Sequence, residues 1–170
     1  MYKIFANDTV IYDSRREIDY LISNPVLNLE LGQAGNLEFE MLPGNPYINS
    51  IFEMRTYIKV TQDNSPIFYG RVLRVSENIS GTTQVICEGA LTFLLDSELA
   101  PFEGDETLSA FFTRCIQSHN SQVEAAKRFQ IGRFQSTNAS KSIDFNITGY
   151  TQTRKALDSY LISKIGGFLI

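Results

Sequence analysis

The chain has a single histidine, His119, and it follows Cys115 by four residues. On a helix that spacing stacks the two side chains on one face. There an imidazole could take the thiol proton and prepare the sulfur to attack an acyl carbon, as in a cysteine hydrolase. A thiol becomes reactive in electropositive, partly exposed surroundings. Here Leu108, Phe111, Phe112, Cys115, Ile116 and His119 fall on one helical stripe, so both residues are expected inside a packed apolar face. Packing is therefore the preferred reading, and a Cys115 that resists alkylation until unfolding would rule out the hydrolase.

Other chemistries find less to work with. Acid–base catalysis by carboxylates needs two acids at one cleft. Glu30, Glu38 and Glu40 are expected to share one face of a hairpin, where alternating acids are ordinarily solvated. The alternative is that this acidic face lines a channel through which DNA passes without sticking. One histidine and no Asp-x-Asp-x-Asp loop leave zinc and calcium without a recognisable ligand set. The pairs Gly32/Gly35 and Gly166/Gly167 match neither the dinucleotide nor the P-loop pattern. Tyr12, Tyr20, Tyr47, Tyr57 and Tyr69 are spread over candidate strands and could form a carbohydrate-stacking platform, although tyrosines on sheets more often pack. The sequence thus predicts no catalytic, cofactor-binding or metal-binding residue and no enzyme activity.

The elements that would position these residues come in two sets. The first hundred residues alternate like linked hairpins. Lys3 to Ala6 and Val10 to Tyr12 flank the turn Asn7-Asp8-Thr9. Leu27, Leu29 and Leu31 alternate with polar residues, and after Gln33 to Asn36 so do Leu37, Phe39 and Met41, before Pro43-Gly44 turns the chain. Ile58 and Val60 mark a further strand, Gln62 to Ser65 a polar turn, and Ile67 to Val75 a long strand. The interior Gly70 signals a bulge, a bend or a close backbone. Ser80-Gly81 leads into Thr83 to Gly89. Short strands with tight turns indicate a barrel or sandwich.

After Pro101 the period changes. A helix carrying the His119 stripe is predicted with Asp105 as its cap. A second helix is predicted from about Thr153 to Lys164, with Leu157, Tyr160 and Leu161 as its buried stripe, Thr151 or Thr153 capping it and Gly166-Gly167 ending it. Arg128 to Phe134 and Ile143 to Tyr150 read as strands. The expected architecture is α+β, mainly antiparallel β, with a β-barrel-like domain over residues 1–102 and the start of an α+β domain over 103–170. The closing apolar run Phe168-Leu169-Ile170 suggests an incomplete second domain.

Composition narrows the classes of function. With 43% apolar and 12% aromatic residues the chain is globular rather than disordered. A net charge of -4 with scattered lysines and arginines disfavours nucleic-acid binding, which needs a concentrated basic surface. No stretch approaches the roughly 18 apolar residues of a membrane span, and the N-terminus is too short and polar to read as a signal peptide. Cys87 and Cys115 lie in apolar patterns and are expected as buried free thiols of a protein made in a cytoplasm.

One block carries a resemblance. Phe68-Tyr69-Gly70-Arg71-Val72, followed by Cys87-Glu88-Gly89-Ala90-Leu91-Thr92-Phe93-Leu94-Leu95-Asp96-Ser97 and Pro101, resembles the phage minor structural protein family. These are the tail-associated, prophage-endopeptidase-tail proteins of phages infecting Gram-positive bacteria. His119 to Val123, Gln130-Ile131-Gly132 and Gly166-Gly167 follow in the order the family leads one to expect. The resemblance implies a siphophage tail-tip (baseplate) hub: a virion structural protein whose β-barrel domains trimerise into a ring joining tail tube to tip. It also implies contacts with the distal tail protein and the tape-measure protein, synthesis in the host cytoplasm, and a place in the virion at the tail tip. A carbohydrate- or receptor-binding module of the same tip is the alternative. Within the block, Gly89 is expected to permit a turn into a helical segment, Leu91 to Leu95, that plugs one end of the barrel.

Overall fold

The computed structural model describes residues 1–16, 20–132, 140–167 and 169. The chain divides into two compact units, Met1–Ala90 and Leu91–Ile170.

The first unit is one antiparallel sheet of seven strands, β1 (Tyr2–Ala6), β2 (Thr9–Asp13), β3 (Ile22–Asn28), β4 (Asn36–Met41), β5 (Tyr57–Gln62), β6 (Ser65–Glu77) and β7 (Thr83–Gly89). Their order is β2-β1-β5-β6-β7-β4-β3, and the sheet curls into a half-barrel. The alternation read from the sequence gives the sheet one apolar face. Leu37, Phe39 and Met41 of β4, Val85 and Cys87 of β7, and Ile58 and Val60 of β5 all turn to one face and form a single core with Ile4, Ile11 and Phe68. The β5–β6 turn uses Asp63 and Asn64, both at positive φ (49° and 69°). That pair of conformations matches the twist of a two-residue hairpin.

Strand β3 departs from expectation. Leu29 and Leu31 lie beyond its end and are exposed, at 57% and 63%. Their alternation continues a strand pattern, but among the described residues β3 pairs only with β4 and stops where β4 begins, at the Asn28–Asn36 pair. Within this edge strand the register shifts between Ser23 and Val26, Asn24 takes φ 51°, and Pro25 follows it.

Long strand β6 is held along part of its length by the segment 51–56. Met54 donates its amide to the Val72 carbonyl at 2.7 Å, and the Val72 amide donates to Thr56 at 2.9 Å. Gly70 sits opposite Gly89 in β7. The close backbone its sequence position signals is there: a Cβ at Gly70 would lie 2.0 Å from the Glu88 carbonyl oxygen. Gly89, where β7 gives way to a helical segment as expected, meets a close backbone as well, because a Cβ there would lie 1.7 Å from the Ala34 oxygen.

The second unit contains β8 (Glu98–Leu99), β9 (Phe102–Thr107), α1 (Leu108–Gln122), β10 (Ser142–Ile147), β11 (Thr151–Gln152), α2 (Thr153–Ala156) and α3 (Ser163–Ile165). β9 pairs with β10 and β8 with β11, both antiparallel. A 3-10 turn, Ala90–Leu95, leads into it, and a π-helical stretch, Leu157–Ile162, joins α2 to α3. Leu94, Leu99, Leu108, Phe111, Cys115, Ile116, Phe145, Leu157 and Leu161 form its core, with Leu91 packed against them. The helical segment at Leu91 to Leu95 is therefore present, but Leu91 and Leu94 serve the second core where the sequence suggests a barrel plug. That membership is also why the units divide at Ala90, earlier than residue 102.

Helix α1 bears the predicted stripe, with Leu108, Phe111, Cys115, Ile116 and His119 buried. Phe111 stacks on Phe145 of β10 at 4.2 Å. Its cap is Thr107, whose side chain accepts from the Ala110 amide at 3.2 Å, and not Asp105, which lies in β9. The later helix starts at Thr153 and ends at Gly166, but Gln152 precedes it with no side-chain cap. Residues 128–132 form no strand, the rest of the strand expected to Phe134 lies outside the described residues, and so do Phe168 and Ile170. The strand expected over Ile143 to Tyr150 ends at Ile147.

Candidate functional site

The chemistry-bearing side chains of the second unit meet in its interior. Ser97 follows the 3-10 turn, His119 occupies the last turn of α1, and Thr153 opens α2. His119 Nδ1 lies 2.7 Å from Ser97 Oγ, and Ser97 Oγ lies 2.8 Å from Thr153 Oγ1. His119 Nε2 lies 3.0 Å from the Lys127 carbonyl oxygen. A carbonyl only accepts, so Nε2 donates to it. In the neutral ring Nδ1 is then the acceptor, Ser97 donates its hydroxyl to it, and Thr153 donates to Ser97. The backbone repeats the tie, since the Thr153 amide donates to the Ser97 carbonyl at 2.9 Å. Outside it, Lys127 Nζ reaches Asp96 Oδ2 at 3.0 Å.

A hydroxyl donating to an imidazole whose other nitrogen is fixed is half of a nucleophilic triad. What decides its use is access: Ser97 is 2% exposed, and His119 and Thr153 are fully buried. Substrate has no route to Ser97 Oγ in this conformation, so the three groups act as an internal brace.

Cys115 and His119 share the helix face, but both imidazole nitrogens are engaged by Ser97 and Lys127. Burial pushes the Cys115 thiol up to about 12, and Cys87 likewise to about 12. Both cysteines are free and buried. The thiolate needed for nucleophilic chemistry is thus disfavoured at both positions.

The surface residues singled out by sequence are dispersed. Glu38 and Glu40 share β4, where Glu40 accepts from Ser23 Oγ at 3.1 Å and Asn24 Nδ2 at 3.0 Å, while Glu30 lies outside the strands. Of the tyrosines, Tyr12 is in the core, Tyr20 stacks with Tyr47 at 6.5 Å, and Tyr57 stacks with Tyr69 at 5.9 Å.

Strand register assembles a feature that the sequence does not disclose. Asn28, Asn36, Glu88, Arg71 and Tyr57 stand opposite one another across five neighbouring strands. Arg71 Nε donates to Glu88 Oε1 at 2.7 Å, and Asn28 Nδ2 donates to Asn36 Oδ1 at 2.8 Å. Arg71 is 4% exposed. No local pattern marks it as buried, because its partner is 17 residues away along the chain.

An apolar groove of about 590 Å³ also opens in this unit, lined in part by Tyr2, Ile4, Tyr12, Leu27, Leu29 and Ile67. Among the described residues no three His, Cys, Asp or Glu side chains come together as metal ligands, and no helix is long and apolar enough to cross a membrane. No protein-family model matches this chain, and no curated protein matches it either.

Proposed function

We propose that this chain is a structural component of a bacteriophage or prophage tail tip, forming part of the hub ring that joins the tail tube to the tip. The observation that carries the reading is the inversion of chemistry and surface. The nucleophile–base cluster Ser97, His119 and Thr153 is sealed in a core, while large apolar side chains such as Leu29, Leu31, Phe52 and Tyr150 face solvent. Large apolar side chains that each unit leaves exposed are available for contacts with other proteins. The motif resemblance at Gly70 and over Cys87 to Ser97 supplies the particular assembly. In that reading three copies associate through their half-barrels, and the distal tail and tape-measure proteins are neighbours.

Electron microscopy of induced particles, labelled with antibody against this chain, tests the proposal. Label confined to the end of the tail opposite the capsid is the expected result. Protein free in the lysate with no label on particles would refute it.

A second reading, a carbohydrate-binding module of the same tip, is favoured by one observation: the stacked pair Tyr57 and Tyr69, the latter 38% exposed on the sheet. It requires saturable binding to host cell wall that Tyr69→Ala abolishes. Titration without heat or retention would eliminate it.

A further inference from the structure

Two backbone irregularities in the first unit meet at neighbouring residues and have the same effect. The β6–β7 register passes from Val72, opposite Cys87, to Arg74, opposite Ile86, and skips Leu73. Bulges re-aim side chains, and Leu73 is left exposed. Met54, bonded through its amide to Val72, is held at φ 59°. That left-handed conformation is strained for a side chain of its kind, and it too is exposed. Phe52, whose carbonyl accepts from the amides of Arg55 and Thr56, is the third exposed apolar residue of the segment. None of the three belongs to the core of the unit.

Charge defines what would cover them. Arg55 and Arg74 flank Met54 and Leu73, are exposed, and make no ion pair among the described residues, in a chain whose net charge is -4. The nearby Glu53 has a carboxylate oxygen engaged by the Val75 amide at 2.7 Å.

We propose that Phe52, Met54 and Leu73 form a contact site rimmed by Arg55 and Arg74 that receives another tail component, one presenting an apolar side chain flanked by carboxylates. The site rests on the tail-tip reading. Acids on the partner complement the two guanidinium groups. A second copy docking the same patch two-fold would set its own Arg55 and Arg74 against them, which like-charge repulsion opposes.

Methionine oxidation reads the site directly, because peroxide converts exposed methionine to its sulfoxide. Met54 is 46% exposed, and Met41, fully buried, is the internal reference. The chain is oxidised alone and within purified particles, and each methionine is followed by mass spectrometry. Met54 is expected to oxidise about tenfold more slowly in particles than in the isolated chain. That protection is expected to vanish in the Arg55→Glu, Arg74→Glu double variant while Met41 stays protected. Equal oxidation of Met54 in both samples overturns the site. Protection that develops in the isolated chain as its concentration rises also overturns it, since the occupant would be a second copy. A chain absent from particles refutes the tail-tip reading itself, and the site falls with it.

Discussion

Gly70 and Gly89 face each other across the β6–β7 ladder, and each is approached by a carbonyl oxygen at a distance no side chain would allow. The obstruction is backbone in both cases, Glu88 at Gly70 and Ala34 at Gly89, so no side chain can move aside to relieve it.

Gly70→Ala and Gly89→Ala are each expected to destabilise the first unit by about 3 kcal/mol or more, as overpacking against fixed backbone does. Gly149→Ala, with nothing within 4 Å of the new carbon, should stay within about 0.5 kcal/mol of the parent. Urea unfolding of the three variants makes the comparison. A Gly70→Ala protein as stable as Gly149→Ala would contradict the close approach.

The start of α1 separates two threonine and aspartate roles that sequence alone confuses. Thr107→Ala should cost about 1 kcal/mol, because Thr107 is the residue that caps the helix. Asp105 stands directly opposite Asp144 in the β9–β10 ribbon, and both are exposed. Like charges in that relation repel, so Asp105→Asn should stabilise the unit by about 0.3 kcal/mol. Thermal denaturation that shows the opposite order would restore Asp105 as the cap.

The internal brace predicts non-additivity. His119→Leu leaves the Ser97 hydroxyl and the Lys127 carbonyl without their ring partner, a loss of about 3 kcal/mol for two buried polar groups. Thr153→Val should cost about 1 kcal/mol. Once His119 is gone, adding Ser97→Ala should cost much less than it does alone, with a coupling of about 1 kcal/mol or more. Strict additivity in the double-mutant cycle would mean that the three groups do not act as a chain.

The thiols give a pH dependence on the alkaline side. An unfolded cysteine loses its proton near 9, whereas burial holds Cys87 and Cys115 protonated up to about 12. The folded state therefore binds more protons in that window. Stability is fully present below pH 9 and falls as pH rises toward 12, by about 1.4 kcal/mol per pH unit for each thiol. Cys87→Ala should flatten that fall for the first unit and Cys115→Ala for the second, as chemical denaturation at stepped pH would register. Native protein should also resist iodoacetamide at pH 8 and react on unfolding.

How far these features were legible in the sequence depends on the range of the interaction. Leu37, Phe39 and Met41 declare a half-buried strand because alternation is a property of adjacent residues. The α1 stripe is equally local, and Gly70 gave away a close backbone by its place inside an apolar strand. Leu29 and Leu31 carry the same alternation as β4, yet they are exposed, because a strand's burial also depends on a neighbour that here has already ended. Asp105 and Thr107 are both good caps by type, and only the β9–β10 pairing decides between them. Ser97 and Thr153 lie 56 residues apart, and no local rule links them.

The broken register of β3 bears on what happens to this protein at high concentration. An edge strand with free amides and carbonyls invites the edge of another molecule, and here Val26, with Leu29 and Leu31 just beyond the strand's end, would reward the encounter with apolar contact. Pro25 withholds one amide, and the left-handed Asn24 bends the strand just before it. Together they make the strand a poor template for endless sheet growth, so that a concentrated solution of the protein resists polymerising along its own edge.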